Sequence, residues 1–428
     1  MMMKIITLFL MLFVVMFAKE GGLRAEISSE SPPGYSLDLF MSHEYIDNLY
    51  LTNKKEKDDF ISLLGASFTA NKDFQVSDLF FNYKIARSFY WQYSKNNAFR
   101  HSLSLKYLRE FTKKLSLSFD NNFYRSEEPV EENKEIFREH KNKRDIYYRN
   151  ISSLILSYYI TRTLSFDIGA SLNYYQDKNP DNEDSRIYTE FIRINKEYTR
   201  YFWNCSLNFI QREFQSDPQV NSWGVDSSFG YKLSSNKNIS LNLSLERTQE
   251  MGIDSEDYWA YQGAIKYDFS PSPDQEYWFT LGYYYRDQDG TSDNDKGLSY
   301  SINYMKFYRY TTVKLSGSGG YRYEYGEAEN TGFTEYYLLN VDISRDFSRT
   351  LRGELGGMYR YEDFKDEDRT DKTWEFYASI KKKFLQRLYL QARYNYRHVN
   401  SDLEGESYTE NIIQLFLIYN FWRGQTIW

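Results

Sequence analysis

The two-residue alternation of apolar and polar side chains constrains this chain more than any other feature. It is clearest in the segment Ile239–Glu246, where every second residue is apolar and a Ser, Asn or Glu lies between. The apolar members are Ile239, Leu241, Leu243 and Leu245. Because successive side chains of a β-strand point to opposite faces, this segment has one apolar face and one hydrated face.

The same alternation returns about twenty times along the chain, and a high content of aromatic residues (42 Tyr and 31 Phe) with only 7 Pro also favours strands. The predicted strands are residues 35–45, 60–70, 79–90, 99–111, 115–124, 146–160, 163–175, 186–198, 201–214, 222–233, 238–248, 257–269, 276–288, 297–307, 311–325, 333–345, 350–363, 372–384, 388–399 and 407–421.

The connections between these strands alternate in length. Short turns such as Thr161–Thr163 alternate with longer segments, of which residues 125–145 are the longest. Outer-membrane barrels have short periplasmic turns and longer outer loops, whereas a soluble sandwich or propeller has no reason to keep this order. We therefore predict an all-β fold, a transmembrane antiparallel up-and-down β-barrel of about 20 strands (18–22), which forms one domain over residues 26–428.

The N-terminus has the pattern of an export signal. Lys4 precedes the apolar run Ile5–Ala18, which is shorter than the roughly 18 residues that a membrane helix needs. We predict a signal peptide over residues 1–25, cleaved after Ala25 or Ala18, with an uncleaved anchor as the alternative. Export followed by barrel formation places the protein in the outer membrane of a Gram-negative bacterium, in contact with its lipid.

Near the start of the predicted barrel, the segment Glu44–Thr52 contains an Asp-Asn pair and is followed by a charged loop and Asp59-Phe-Ile61. This part of the chain resembles the start of the outer-membrane proteins called "beta-barrel porin 2", and the resemblance extends loosely through the Tyr-rich hairpins. Members of that family are often found with exopolysaccharide loci. The resemblance implies an outer-membrane channel that serves polysaccharide export or another hydrophilic solute.

Strand parity assigns a set of charged residues to the hydrated face. A charged side chain that faces lipid at mid-bilayer costs about 2–4 kcal/mol, so these residues are expected to line the lumen. The candidates are Asp120, Asp226, Glu246, Lys314, Arg322, Glu324, Arg352, Glu354, Arg360, Glu362, Arg393 and Arg397. Two interpretations remain open: a basic wall of Arg352, Arg360, Arg393 and Arg397 opposite acids such as Asp120, or a lumen wetted by mutually neutralising pairs. Inward tyrosines such as Tyr284 and Tyr389 are either a surface for sugar stacking or simply good strand formers.

The long connection 125–145 interleaves acidic and basic residues that can form i,i+4 ion pairs on a short helix. We predict that it folds inward as a constriction, with Glu131, Glu135 and Arg138 as candidates. A solvated surface loop is the alternative.

No residues are predicted to be catalytic, to bind a cofactor or to bind a metal. The four histidines, His43, His101, His140 and His398, share no metal-ligand spacing, and the single Cys205 belongs to no haem motif. Two acidic segments, Asp177–Asp184 and Asp287–Asp295, only superficially resemble calcium loops. We therefore expect a channel for hydrophilic solutes or polysaccharide, neither an enzyme nor a nucleic-acid-binding protein. The alternative is a sheath around a separate periplasmic or lumenal partner, such as a multihaem cytochrome.

Overall fold

The computed structural model describes most of the predicted mature chain. The described residues are 34–54, 56–128, 144–179, 184–215, 218–251, 257–289, 294–325, 330–365 and 369–424. Side chains of residues 322–332, 423 and 424 are not among them. The predicted signal peptide also lies outside the described residues.

Within these ranges the chain forms twenty strands, each of which coincides with a predicted one to within a few residues. Their bounds are β1 Gly34–Ile46, β2 Asp59–Asp73, β3 Ser77–Tyr90, β4 Phe99–Thr112, β5 Leu115–Ser126, β6 Tyr147–Thr161, β7 Leu164–Asp177, β8 Ser185–Glu197, β9 Tyr201–Phe214, β10 Gln219–Ser234, β11 Lys237–Met251, β12 Tyr258–Ser272, β13 Gln275–Gln288, β14 Lys296–Phe307, β15 Thr311–Tyr325, β16 Asn330–Ser348, β17 Leu351–Phe364, β18 Arg369–Leu385, β19 Leu388–Ser401 and β20 Tyr408–Gly424.

The strands form one closed antiparallel barrel. Each strand pairs with the next along the chain, and β1 pairs with both β2 and β20. In this closing register Ser42 lies opposite Leu63 on β2 and Phe416 on β20. The predicted fold class is confirmed.

As predicted, the connections alternate in length, with the short ones at one end of the barrel and the long ones at the other. At one end the turn between β4 and β5 joins Thr112 to Leu115. The first strand, β1, begins at this end, and the last strand, β20, finishes at it. At the other end the connection from Ser126 to Tyr147 is the longest. We call the end with the long connections the outer end.

The polarity of the sheet is reversed relative to a soluble β protein. On β11, Leu241 and Leu243 are 46 % and 52 % exposed, whereas Ser240, next to Leu241 on the opposite face, is 6 % exposed. Exposed apolar side chains on alternate positions recur around the barrel, from Leu39 on β1 to Leu415 on β20. We call the face that carries them the outer face. Among the described residues, no helix is long and apolar enough to cross a membrane.

The largest cluster of buried apolar residues lies inside the outer end of the barrel. It consists of Ile46, Leu49, Tyr50, Ile61 and Tyr90, with Tyr93 and Ile412 packed against it. Leu49 and Tyr50 belong to the connection between β1 and β2, so this loop contributes to the interior and does not extend away from the barrel.

Candidate functional site

Several of the predicted lumen residues form ion pairs on the inner face. Asp120 lies 3.5 Å from Lys106 on β4, and Arg397 lies 2.6 Å from Glu375 on β18. Two further pairs join residues two apart on β17, Arg352 with Glu354 and Arg360 with Glu362, each at 2.9 Å. Four basic and four acidic side chains are therefore compensated within one or two strands.

Other candidates bind neutral groups. Asp226 accepts hydrogen bonds from the Asn208 amide at 2.6 Å and the Ser244 hydroxyl at 2.7 Å. Glu246 accepts one from Thr248 at 3.3 Å. The guanidinium of Arg393 donates to Asn395 at 2.9 Å.

The remaining candidates are on β15. Lys314 lies opposite Asp342 in the register of β15 and β16. Arg322 and Glu324 belong to β15 as predicted, but their side chains lie outside the described residues. Three of the four arginines predicted to form a basic wall are compensated by carboxylates, and this arrangement favours the interpretation of mutually neutralising pairs.

The connection between β1 and β2, which we call loop L1 (residues 47–58, described except for residue 55), folds into the outer end of the barrel. Asn48, Leu49 and Leu51 are each at most 1 % exposed. Leu49 packs with Tyr90 of β3, and Leu51 packs on the other side with Val399 and Tyr408 of β19 and β20. L1 therefore contacts the inner side of strands on both sides of β1 and narrows the outer opening.

Polar contacts from Asp47 and Asn48 hold L1 in place. The Asn48 amide donates to the carbonyls of Thr52 and Thr409, both at 2.9 Å, and accepts from the Thr52 N–H at 3.0 Å. The Asp47 carboxylate accepts from the backbone and side-chain N–H groups of Asn411 at 2.7 and 2.6 Å. Asn48 is fully buried, and its amide provides hydrogen-bond partners for backbone groups of both L1 and β20.

The backbone of L1 is strained at Leu51, which has a φ of 52°. A non-glycine residue in the left-handed region costs about 1–2 kcal/mol. This residue is also 1 % exposed, so burial of its side chain and the hydrogen bonds of Asn48 offset the strain. The docked conformation of L1 is thus maintained by its contacts, not by local preference.

The third outer connection is tied to the same cluster at both of its described ends. Glu127 accepts hydrogen bonds from Arg100 at 2.8 Å and from the Tyr90 hydroxyl at 3.1 Å, while Glu128 pairs with Arg100. Arg144, at the other end, donates to the Leu49 carbonyl and to the Tyr90 hydroxyl, both at 3.0 Å. The connection therefore leaves and rejoins the barrel through the interior.

The electrostatics of this anchor favour an ionised Glu127. Burial alone would raise the pKa of this carboxyl group, but the charge and hydrogen bonds of Arg100 outweigh it, so the pKa lies below its ordinary value. The predicted constriction residues Glu131, Glu135 and Arg138 lie outside the described residues, between these two anchored ends.

The described outer part of the β15–β16 hairpin forms a second inward element. Pairing between β14 and β15 stops at Tyr300 and Gly319, although β14 begins at Lys296. Beyond that point the rings of Tyr321 and Phe333 pack near the ring of Tyr284 on β13, with centroid distances of 4.8 and 6.2 Å. The intervening Gly320 has a φ of 151°, which a side chain rarely adopts. The hairpin therefore bends across the inner side of β14.

The histidines and acidic segments form no metal site in the part of the chain that the structure describes. Within the described ranges no group of three or more His, Cys, Asp or Glu side chains could hold a metal ion. His43 bonds to Ser62, and His398 to Thr409. His140 and parts of both acidic segments, residues 180–183 and 290–293, lie outside the described residues.

Residues 307–421, about a quarter of the chain, match a family described as "Putative beta-barrel porin 2". The predicted family resemblance is confirmed for this part of the chain. The match covers the C-terminal strands, whereas the segment that suggested the resemblance is Glu44–Thr52 near the other end. A comparison with curated protein sequences gave no match.

Several solved structures are similar to this chain over most of its length. The copper transporter OprC has a TM-score of 0.52 at 9 % identity, over 92 % of this chain and 82 % of its own. Pseudomonas aeruginosa OpdK with vanillate has a TM-score of 0.41 at 10 % identity (90 % and 98 % coverage). Acinetobacter baumannii OccAB3 has 0.39 at 12 % identity (90 % and 99 % coverage). At such identities the likeness to OprC shows the fold alone, an outer-membrane β-barrel.

Strand parity predicts which charged residues face the lumen, but it gives no indication of the inward loop L1. The Asp47-Asn48 pair carries part of the family resemblance, yet nothing in its composition indicates a buried loop. The hairpin bend did have a sequence signal, because glycine inside a strand often marks a bend and Gly317, Gly319 and Gly320 lie close together on β15.

Proposed function

We propose that the protein is an outer-membrane channel that conducts small hydrophilic solutes. The observation that carries this proposal is a closed barrel with an apolar outer face, a polar inner face and an opening narrowed by a segment of its own chain, L1. About twenty strands enclose a lumen too wide for wall side chains to fill, so water occupies the remaining space.

The charge arrangement supports weak selection along the part of the wall where ion pairs form. A strongly selective channel carries a ring of charges of one sign. Here Asp120, Arg352, Arg360 and Arg397 are each compensated by a neighbouring opposite charge. Selection is therefore expected at the outer end, where L1 and the β15–β16 hairpin enter the lumen.

The inward position of L1 favours small solutes over a polymer. Leu49 and Leu51 of L1 pack against strands on opposite sides of β1, so this loop takes up part of the opening through which a polysaccharide strand or a cytochrome would pass. The export signal in residues 1–25 and the single barrel domain over residues 26–428 belong to the same proposal, with lipid as the partner of the outer face.

Conductance in planar bilayers tests the proposal. Purified mature chain should give discrete steps that scale with salt concentration and should show similar permeability for K⁺ and Cl⁻. Liposome swelling should be fast with small sugars and slow with oligosaccharides. A correctly folded barrel that produced neither current nor swelling would overturn the proposal, and swelling independent of oligosaccharide size would remove the role of L1.

A further inference from the structure

A cavity of about 310 Å³ lies on the inner wall below L1, between β20 and β6. Its lining combines polar groups of both charges with several aromatic rings, and it includes Phe40, Ser42, Glu44, Lys84, Arg100 and Gln414. Its volume is at the lower end of the range for small-molecule sites.

Small inner side chains create the hollow. Ser42, Ala86 and Ser102 line the cavity on β1, β3 and β4. On β2 between them, Gly65 lies under the ring of Phe40, whose Cζ would be 2.3 Å from a Cβ at that position. A larger residue at position 65 would therefore push the Phe40 ring into the cavity.

Ser42 contributes a polar group that the protein itself does not use. It is 1 % exposed, and its Oγ has no hydrogen-bond partner. A buried hydroxyl without a partner costs about 1–3 kcal/mol. A ligand oxygen in the cavity would supply the missing partner.

Lys84 contributes a positive charge that is held in place without being neutralised. Its Nζ lies 4.9 Å from the centroid of the Phe40 ring, and no carboxylate among the described residues pairs with it. Two arginines also line the cavity: Arg100 is compensated by both Glu127 and Glu128, and Arg125 donates to the Phe99 carbonyl. A cation–π contact orients an ammonium group but leaves its charge available.

We propose that this cavity, the lumenal pocket, binds small hydroxylated monocarboxylates as they pass through the channel. The inference rests on the proposed channel function and names a solute class for it. The carboxylate accepts hydrogen bonds from Lys84 and Ser42, and the hydroxyl groups bind near Glu44 and Gln414. Since Glu44 and Glu128 also line the pocket, a second negative charge on the solute is disfavoured.

Gluconate and sorbitol form a matched pair of probes, because they share a hydroxylated six-carbon chain and differ at one end by the carboxylate. In single-channel recordings, gluconate should interrupt the ion current at concentrations at least about tenfold below those that sorbitol requires. One charge-assisted hydrogen bond to the carboxylate accounts for a difference of this size. Equal half-blocking concentrations for the two probes would overturn the inference.

Two variants locate the effect in the pocket. Lys84→Met should raise the half-blocking concentration of gluconate about tenfold and leave that of sorbitol unchanged. Lys314→Met is the matched control, because Lys314 is also an exposed inner-face lysine without a carboxylate partner in the described part of the chain, but it does not line the pocket. If both variants weakened gluconate block equally, the effect would come from the general charge of the lumen, and binding in the lumenal pocket would be refuted.

Ser42→Ala separates binding from folding. Removing an unpartnered buried hydroxyl should leave thermal stability equal or higher, yet gluconate block should weaken several-fold. Unchanged block in this variant would remove Ser42 from the site. A wild-type barrel without any conductance would count against the channel function itself, whereas normal conductance without gluconate preference would count against the pocket alone.

Discussion

The substitution Asn48→Asp should open the constriction formed by L1. The two side chains have nearly the same shape, so packing is kept, but the amide group that donates to the carbonyls of Thr52 and Thr409 is replaced by a second oxygen. The acceptor contact with the Thr52 N–H remains. The change therefore isolates the donor function of one side chain.

The expected magnitude follows from these contacts. Two lost hydrogen bonds contribute about 1 kcal/mol each. The carbonyls of Thr52 and Thr409 then face a carboxylate in a site where Asn48 is 0 % exposed, which adds about 1 kcal/mol or more. A total of about 3 kcal/mol shifts the ratio of docked to released L1 by roughly 100-fold toward the released form. The strained φ of Leu51 acts in the same direction.

Single-channel recording measures this ratio directly. The ratio of time spent in a higher-conductance substate to time spent in the main state should be about 100-fold higher in Asn48→Asp than in the wild type, as the free-energy estimate requires. Asn221→Asp is the matched control, because Asn221 lies near the outer end of β10, is half-buried and does not contact L1. Identical substate frequencies in the wild type and Asn48→Asp would refute the assignment of L1 as the constriction.

Three further predictions concern the anchor, the outer face and the packing of the inner wall. The pKa of Glu127 in the folded barrel lies below its ordinary value of 4.5, so the contribution of the ionised carboxylate to the anchor is complete above pH 4.5. This contribution is lost as the pH falls through the lower folded pKa. Channel recordings should therefore show acid-induced opening only below pH 4.5, and Glu127→Gln should lack this step. Leu243→Arg on the outer face should destabilise the barrel by about 2–4 kcal/mol in urea titrations in liposomes, whereas Asn242→Arg on the inner face should cost far less. Gly230→Ala places a Cβ 1.9 Å from a ring carbon and should cost about 1–3 kcal/mol in the same titration, while the Cβ in Gly263→Ala meets its nearest neighbour at 3.7 Å and should be nearly neutral.

The fold could be predicted because a barrel strand repeats one local rule. Leu241 and Leu243 are exposed and Ser240 is buried for the same reason that their residue types alternate, since lipid surrounds one face and the lumen lies behind the other. The short turns added an independent signal from chain length alone. Both signals are local, and a local signal is readable from one sequence.

L1 could not be predicted because its position depends on distant partners. Asn48 bonds to the Thr409 carbonyl across 361 residues of sequence, and Arg144 reaches the Leu49 carbonyl across 95. An Asp-Asn pair followed by charged residues has the composition of an exposed turn. Only closure of the barrel, which brings β20 beside β1, creates the inner surface on which this turn becomes buried.

The β15–β16 hairpin shows where strand parity stops being informative. Parity places Tyr321 on the outer face with Leu315, yet its ring lies 4.8 Å from the buried Tyr284. The difference arises because β15 leaves β14 beyond Gly319, so the former outer face of the hairpin turns onto the inner side of its neighbour. Alternation assigns faces only while a strand remains in its ladder.

Charge compensation on the inner wall follows from strand geometry, and this helps to identify where selectivity can arise. Side chains two residues apart on a strand share a face and lie roughly 6–7 Å apart at their Cα atoms, so an acid and a base at such positions meet without any tertiary constraint. Arg352 with Glu354 and Arg360 with Glu362 are pairs of this kind. Lys84 departs from the rule, because the Phe40 ring, not a carboxylate, holds its ammonium group. Where the wall compensates its own charges, solutes can be distinguished at such departures, and the one at Lys84 lies directly below the loop that narrows the opening.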